Sequence, residues 1–186
     1  MGVCESIDHW GSTPEERERR YPCDDVLPEG ERVLFRAVTV DAPPPVVFRW
    51  LCQLKVAPYS YDLLDNAGRR SPQYLVPGVD SLVVGERVLL FELVSFALDE
   101  HLTICVRGHR AFGDVAISYL VLPDGPNRSR LVVKLVTVPA RGLVGAVLRP
   151  LLPAGDLVMM RRQLLNLKAL AEATAAELRE DPRSAN

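Results

Sequence analysis

The chain has 186 residues, of which 48% are hydrophobic and 25% charged, and its formal net charge is −2. That length suits one domain with a substantial core, and no apolar run approaches the roughly 18 to 20 residues of a bilayer span. The near-neutral balance argues against a nucleic-acid binder, although residues 1 to 100 carry 10 basic and 17 acidic groups while residues 101 to 186 carry 12 and 7.

The first 31 residues are polar, with the run PEERERR at 14 to 20 and prolines at 22 and 28. They predict an N-terminal arm with one short exposed helix, outside the core. The start MGVCES matches a myristoylation pattern through Gly2 and Ser6, with Cys4 available for a second acyl chain, but so short a match arises readily by chance. Cys4, Cys23, Cys52 and Cys105 form no CxxC pair and follow no secretory segment. They read as reduced thiols of a cytoplasmic protein, with Cys52 and Cys105 as small core hydrophobes.

From residue 33 the β-branched run VLFRAVTV predicts a first strand. In DAPPPVVFRWLCQL the prolines suit a helix's first turn, so a helix starts at about 43. Val47, Trp50, Leu51 and Leu54 recur at i, i+3, i+4 and i+7 as one buried stripe, leaving Arg49 and Gln53 on other faces.

The stretch VAPYSYDLLDNAGRRSP, 56 to 72, supports two readings. In the first, Pro58 ends the helix, Ser60 or Asp62 caps a short turn, Gly68 supplies a left-handed stop, and Arg69 and Arg70 pair with Asp62 or Asp65. In the second, Tyr59 and Tyr61 set amphipathic rings at a pocket mouth, and Asp65 and Asn66 orient a ligand's polar groups. Asp62 and Asp65 are three apart with no histidine near, as in a solvated or capping pair rather than a metal or acid/base site.

Strand signals follow at 82 to 96, 101 to 107, 114 to 122 and 130 to 138, with PDGPN at 123 to 127 as a hairpin turn, predicting an antiparallel meander. In HLTICVR, Leu102, Ile104 and Val106 alternate with His101, Thr103, Cys105 and Arg107, predicting one buried and one wet face. In DVAISYLVL the alternation of Ala116 and Ser118 with Ile117 and Tyr119 leaves the interior face open. PARGLVGAVLRPLLPAGD, 139 to 156, holds Gly142, Gly145, Pro150, Pro153 and Gly155 among apolar residues, with Arg141 and Arg149. It reads as a short packed helix and connector, or as a movable lip.

From 156 to 180, Leu157, Met160, Leu164, Leu167, Ala171, Thr174 and Leu178 step by threes and fours, with the charged residues off that stripe. This is a long helix with one face on something hydrophobic, in which Met159 and Met160 read first as core filling. The order predicts an α+β helix-grip fold: a curved antiparallel sheet wrapped around the C-terminal helix, enclosing a cavity. The domain spans 32 to 181, between the arm and a tail at 182 to 186.

VTVDAPPPVVFRWLCQL, then YSYDLLDNAGRRSP and VGERVLLF, resemble the SRPBCC or START-like superfamily, which includes Bet v 1-like proteins and polyketide cyclases. The likeness points to an uncharacterised bacterial subgroup with an alanine-proline helix start and a Trp-Leu-x-Gln step. It covers roughly residues 32 to 180 and implies the same helix-grip fold. Where relatives are expected to carry a glycine-rich turn, this chain has KVAP at 55 to 58.

The leading expectation is binding of a small hydrophobic molecule, such as a lipid, isoprenoid or aromatic polyketide, with no cofactor, metal or nucleic acid. The expected contacts are Trp50, Tyr59, Tyr61, Asp65, Asn66, Phe91, Tyr119, Met160 and Leu164. A second reading, allowed by the resemblance, is a cyclase or aromatase in which Tyr59, Tyr61, Tyr119 or an arginine polarises a carbonyl. A third, minor one is an interaction module docking on a protein or anionic membrane through Arg141, Arg149 and Arg161. His9, His101 and His109 lack ligand spacing, and there is no GxSxG nucleophile motif.

Overall fold

A computed structural model describes residues 7–60, 70–110, 112–140 and 152–180. In chain order the elements are strand β1 (His9–Trp10), helices α1 (Pro14–Glu18) and α2 (Pro22–Val26), strand β2 (Arg32–Val40) and helix α3 (Pro44–Cys52). A 3-10 turn over Gln53–Lys55 follows. Strands β3 (Arg87–Val88), β4 (Phe91–Ala97), β5 (His101–His109), β6 (Gly113–Pro123) and β7 (Ser129–Val138) precede the long helix α4 (Leu152–Glu180).

The seven strands form one sheet in the order β1-β2-β7-β6-β5-β4-β3. Every pairing is antiparallel except that of β1 with β2. The second strand, β2, thus lies beside the last, β7, and α4 packs against β2 and α3. This is the α+β helix grip that the order of sequence signals predicts.

Helix α3 begins where its prolines allow it, with Pro44 in the first turn and Val46 N–H donating to the Pro43 carbonyl at 3.0 Å. Its predicted stripe of Val47, Trp50, Leu51 and Leu54 is buried. Gln53, expected on another face, is buried too, and its Oε1 accepts from Val76 N–H at 3.0 Å. In α4, Met160, Leu164, Leu167, Ala171 and Ala175 are buried, while Leu157, Thr174 and Leu178 lie half-buried at the stripe's edge.

Three expectations are corrected. The run at 82 to 96 is two strands: Leu89, at φ 57, turns the chain between Arg87–Val88 and Phe91–Ala97. The outward face of β5 is not uniformly wet, since Thr103 and Cys105 are buried. Nor is the N-terminal arm merely an exposed helix: Tyr21, Cys23 and Leu27 are fully buried.

The last two corrections share a cause. Tyr21, Cys23 and Leu27 form a second core with Phe35, Ala37, Cys105, Ala116, Leu120, Val132 and Val136 on the sheet's convex face. Polar contacts support it: Cys23 N–H donates to Ser118 Oγ at 2.9 Å, and the Thr103 and Ser118 hydroxyls meet at 2.8 Å. At the arm's other end Arg130 grips Glu16 with two hydrogen bonds of 2.8 and 2.9 Å and donates to the Gly11 carbonyl at 2.9 Å. A strand covered on both faces shows no alternation of polarity, so Ala116 and Ser118 face one core while Ile117 and Tyr119 face the other.

Candidate functional site

Between the concave face of the sheet and α4, an apolar interior holds a small set of buried polar side chains. Arg36 stands on β2 between Leu34 and Val38 and is 1% exposed. Its Nη2 donates to Asp156 Oδ2 on α4 at 2.7 Å, and its Nη1 to the Phe35 carbonyl at 2.8 Å. Its Nε has no hydrogen-bond partner among the described residues. Burial pulls the guanidinium's pKa down, against the attraction of Asp156. The same burial pushes the Asp156 carboxyl up to about 6, outweighing the opposing pull of Arg36.

Tyr119 enters from β6. Its hydroxyl donates to Gln163 Oε1 at 3.0 Å and lies 4.0 Å from Met160 Sδ, while Gln163 Nε2 donates to the Pro58 carbonyl at 2.7 Å. Burial, with a smaller contribution from the Asp156 charge, raises the phenol's pKa, so Tyr119 stays protonated and acts as a donor. One turn along α4, Asn166 Nδ2 donates to the Tyr59 carbonyl at 2.8 Å. These two amides fix the backbone at 58 and 59, where Tyr59 sits at φ 54. The Trp50 ring lies edge-on to Tyr59 with centroids 6.1 Å apart, and its Nε1 donates to Thr174 Oγ1 at 3.0 Å.

Of the expected contacts, Trp50, Tyr59, Tyr119, Met160 and Leu164 therefore lie in one buried core. Phe91 packs at that core's edge and also lines a separate cleft of about 470 Å³, with Arg87, Glu92 and Arg107 among its walls. Tyr61, Asp65 and Asn66 fall outside the described residues, as do Arg141 and Arg149. A second cleft of about 300 Å³ is lined by Arg49, Gln53, Val76 and Asp80, among others.

No family model matches the sequence, and no curated protein does. Solved structures do: a protein from Chromobacterium violaceum aligns over 76% of this chain and 98% of its own, at 14% identity and a TM-score of 0.50. The Zhui aromatase/cyclase from Streptomyces sp. R1128 aligns over 82% and 98%, at 14% identity and a TM-score of 0.42. A START superfamily protein from Mycobacterium smegmatis aligns over 78% and 98%, at 13% identity and the same TM-score of 0.42. The fold is the α+β helix grip. Identities this low speak to fold alone.

Within this helix grip, sequence reasoning missed Arg36, Asp156 and Gln163. One signal was available for Arg36: it interrupts an apolar strand on the face shared by Leu34, Val38 and Val40. Such a position offers a charge no water-facing side, so it needs a partner from elsewhere in the chain. The arrangement can hold an oxygen-bearing group through the guanidinium's Nε, next to a carboxyl that exchanges its proton near neutrality, while the neighbouring phenol's proton is committed to Gln163. None of the described cysteines is a ready thiolate, because burial pushes Cys23 up to about 11 and Cys52 to about 12 and raises Cys105 as well. Among the described residues no three metal-ligating side chains converge, and no helix is long and apolar enough to cross a membrane.

Proposed function

We propose that the protein binds a small, largely apolar molecule inside the helix grip, between the sheet and α4. Trp50, Tyr59, Met160 and Leu164 supply the apolar walls, and Arg36 the polar end, with Tyr119 beside it. One observation carries this reading: a fully buried arginine with a nitrogen left unpartnered among the described residues, in a largely apolar interior. A buried ion pair gives a fold little net stability compared with apolar residues of the same volume, so stability alone does not account for Arg36. Recognition of a ligand's polar group does.

Binding is favoured over a cyclase-type reaction by the state of Tyr119. Its hydroxyl is engaged by Gln163 and holds its proton tightly, which suits a fixed donor better than a group that trades protons during turnover. Native mass spectrometry of protein purified without detergent tests the proposal. The expected spectrum carries a discrete adduct that denaturing extraction releases as an apolar compound. A bare mass that stays bare after incubation with fatty acids, isoprenoids and aromatic polyketides would refute it.

A further inference from the structure

We propose that the interior ligand ends in a carboxylate seated on Arg36, and that Asp156 takes up a proton as this ligand binds. The inference rests on the interior-binding reading above and names its ligand class.

Among the described residues the charges around Arg36 and Asp156 are few. Arg36 faces Asp156 from β2 and Tyr119 faces it from β6, while its own helix brings the neutral Met160 and Gln163. Arg161 on that helix lies instead over the Trp10 ring, at 5.5 Å from its centroid. The other charges acting on Arg36 are Asp8 and Arg32, which pair with each other at 2.7 Å and so add no net charge. Arg36 thus spends one nitrogen on Asp156 and one on a backbone carbonyl, and its Nε has no partner among the described residues. A guanidinium's open edge is matched best by a second carboxylate, whose charge-assisted bonds are about twice as strong as those of a neutral oxygen.

Two carboxylates on one buried guanidinium cannot both stay ionised without leaving a net negative charge in the core, so the pair shares one proton. Asp156 is the group prepared to take it, because burial already brings its carboxyl close to neutrality. The step balances as follows: the Asp156 carboxylate, the ligand carboxylate and one proton from buffer become the Asp156 carboxylic acid hydrogen-bonded to the ligand carboxylate. An alcohol of the same chain length leaves Asp156 ionised and takes up nothing.

Isothermal titration of the full chain with decanoate and with 1-decanol, near neutral pH in two buffers of different ionisation enthalpy, separates these cases. The expected result is roughly tenfold or greater preference for decanoate, the scale of one charge-assisted hydrogen bond, with uptake of about one proton. D156N, already neutral, should bind decanoate without proton uptake, and R36M should lose the preference. Should R36M fail to fold, R36K keeps the charge without the fork and should weaken the preference. Equal affinity for the two probes would overturn the carboxylate class while leaving interior binding intact. Preference without uptake would overturn the role of Asp156. Binding of neither probe, with no adduct in native mass spectra, would remove the interior reading and this proposal with it.

Discussion

Asp156 shows how two opposed forces settle one residue. Desolvation favours its protonated form and Arg36 favours its ionised form, and desolvation wins, leaving the carboxyl at about 6 against an ordinary value of 3.8. Between those values the folded chain holds a proton that the unfolded chain has released. The stabilising contribution is therefore fully present below about pH 4 and lost as pH rises through about 6, by roughly 3 kcal/mol at most. D156N cannot titrate, so urea unfolding of wild type and variant across that window should show their stability difference shifting by about 2 to 3 kcal/mol toward the variant as pH rises. Parallel pH profiles would place the carboxyl in a water-like setting. Y119F should cost about 1 to 2 kcal/mol in the same assay, because it leaves the buried Gln163 Oε1 without its donor. That Trp50, Leu51, Met160 and Leu164 belong to one buried core was legible because bulk and helical spacing announce it. Arg36 and Asp156 were not, since a core charge is explained only by a partner 120 residues away.

At the scale of elements, legibility followed periodicity. Helices α3 and α4 run long enough for their apolar stripes to repeat, whereas α1 and α2 have five residues each, too few to show a period. The break between β3 and β4 was hidden because the residue at positive φ is Leu89, a type that rarely adopts that conformation. The turn into β6 uses glycine in the ordinary way: Gly113 sits at φ 78, and a Cβ there would lie 2.1 Å from the Val138 carbonyl oxygen and 2.5 Å from Ala140 N. Neither atom can move without unzipping the end of the β6–β7 ladder, where Asp114 pairs with Val138. G113A should therefore cost roughly 2 to 3 kcal/mol, read as a fall in Tm of about 5 to 10 °C. A fall under about 1 °C would mean that this corner is slack.

For the whole molecule, the order of strand, helix, meander and long helix was enough to predict the grip, because each step constrains the next. What that order omits is the far side of the sheet. The concave face is closed by α3 and α4, and the convex face would present Phe35, Ala37, Leu120, Val132 and Val136 to water if the arm were absent. The arm is held there by apolar contact at Tyr21, Cys23 and Leu27, by the Lys134–Asp24 pair at 2.6 Å and by the clasp of Arg130 on Glu16. Apolar packing is the larger effect, since partly exposed ion pairs contribute about 1 kcal/mol or less each, while a fully buried leucine loses about 2 to 5 kcal/mol on truncation to alanine. L27A should accordingly cost about as much as L164A in the main core, within about 1 kcal/mol by urea unfolding, because both leucines are buried to 1% exposure or less. A cost below about 0.5 kcal/mol for L27A alone would show that the arm rides on the sheet without being part of its core. Deleting residues 1 to 30 carries the same logic further, because it uncovers a contiguous apolar face. The shortened chain should bind a hydrophobic dye and elute from size exclusion as an assembly larger than the full-length protein, whereas an unchanged elution and no dye binding would mean that another part of the chain closes that face.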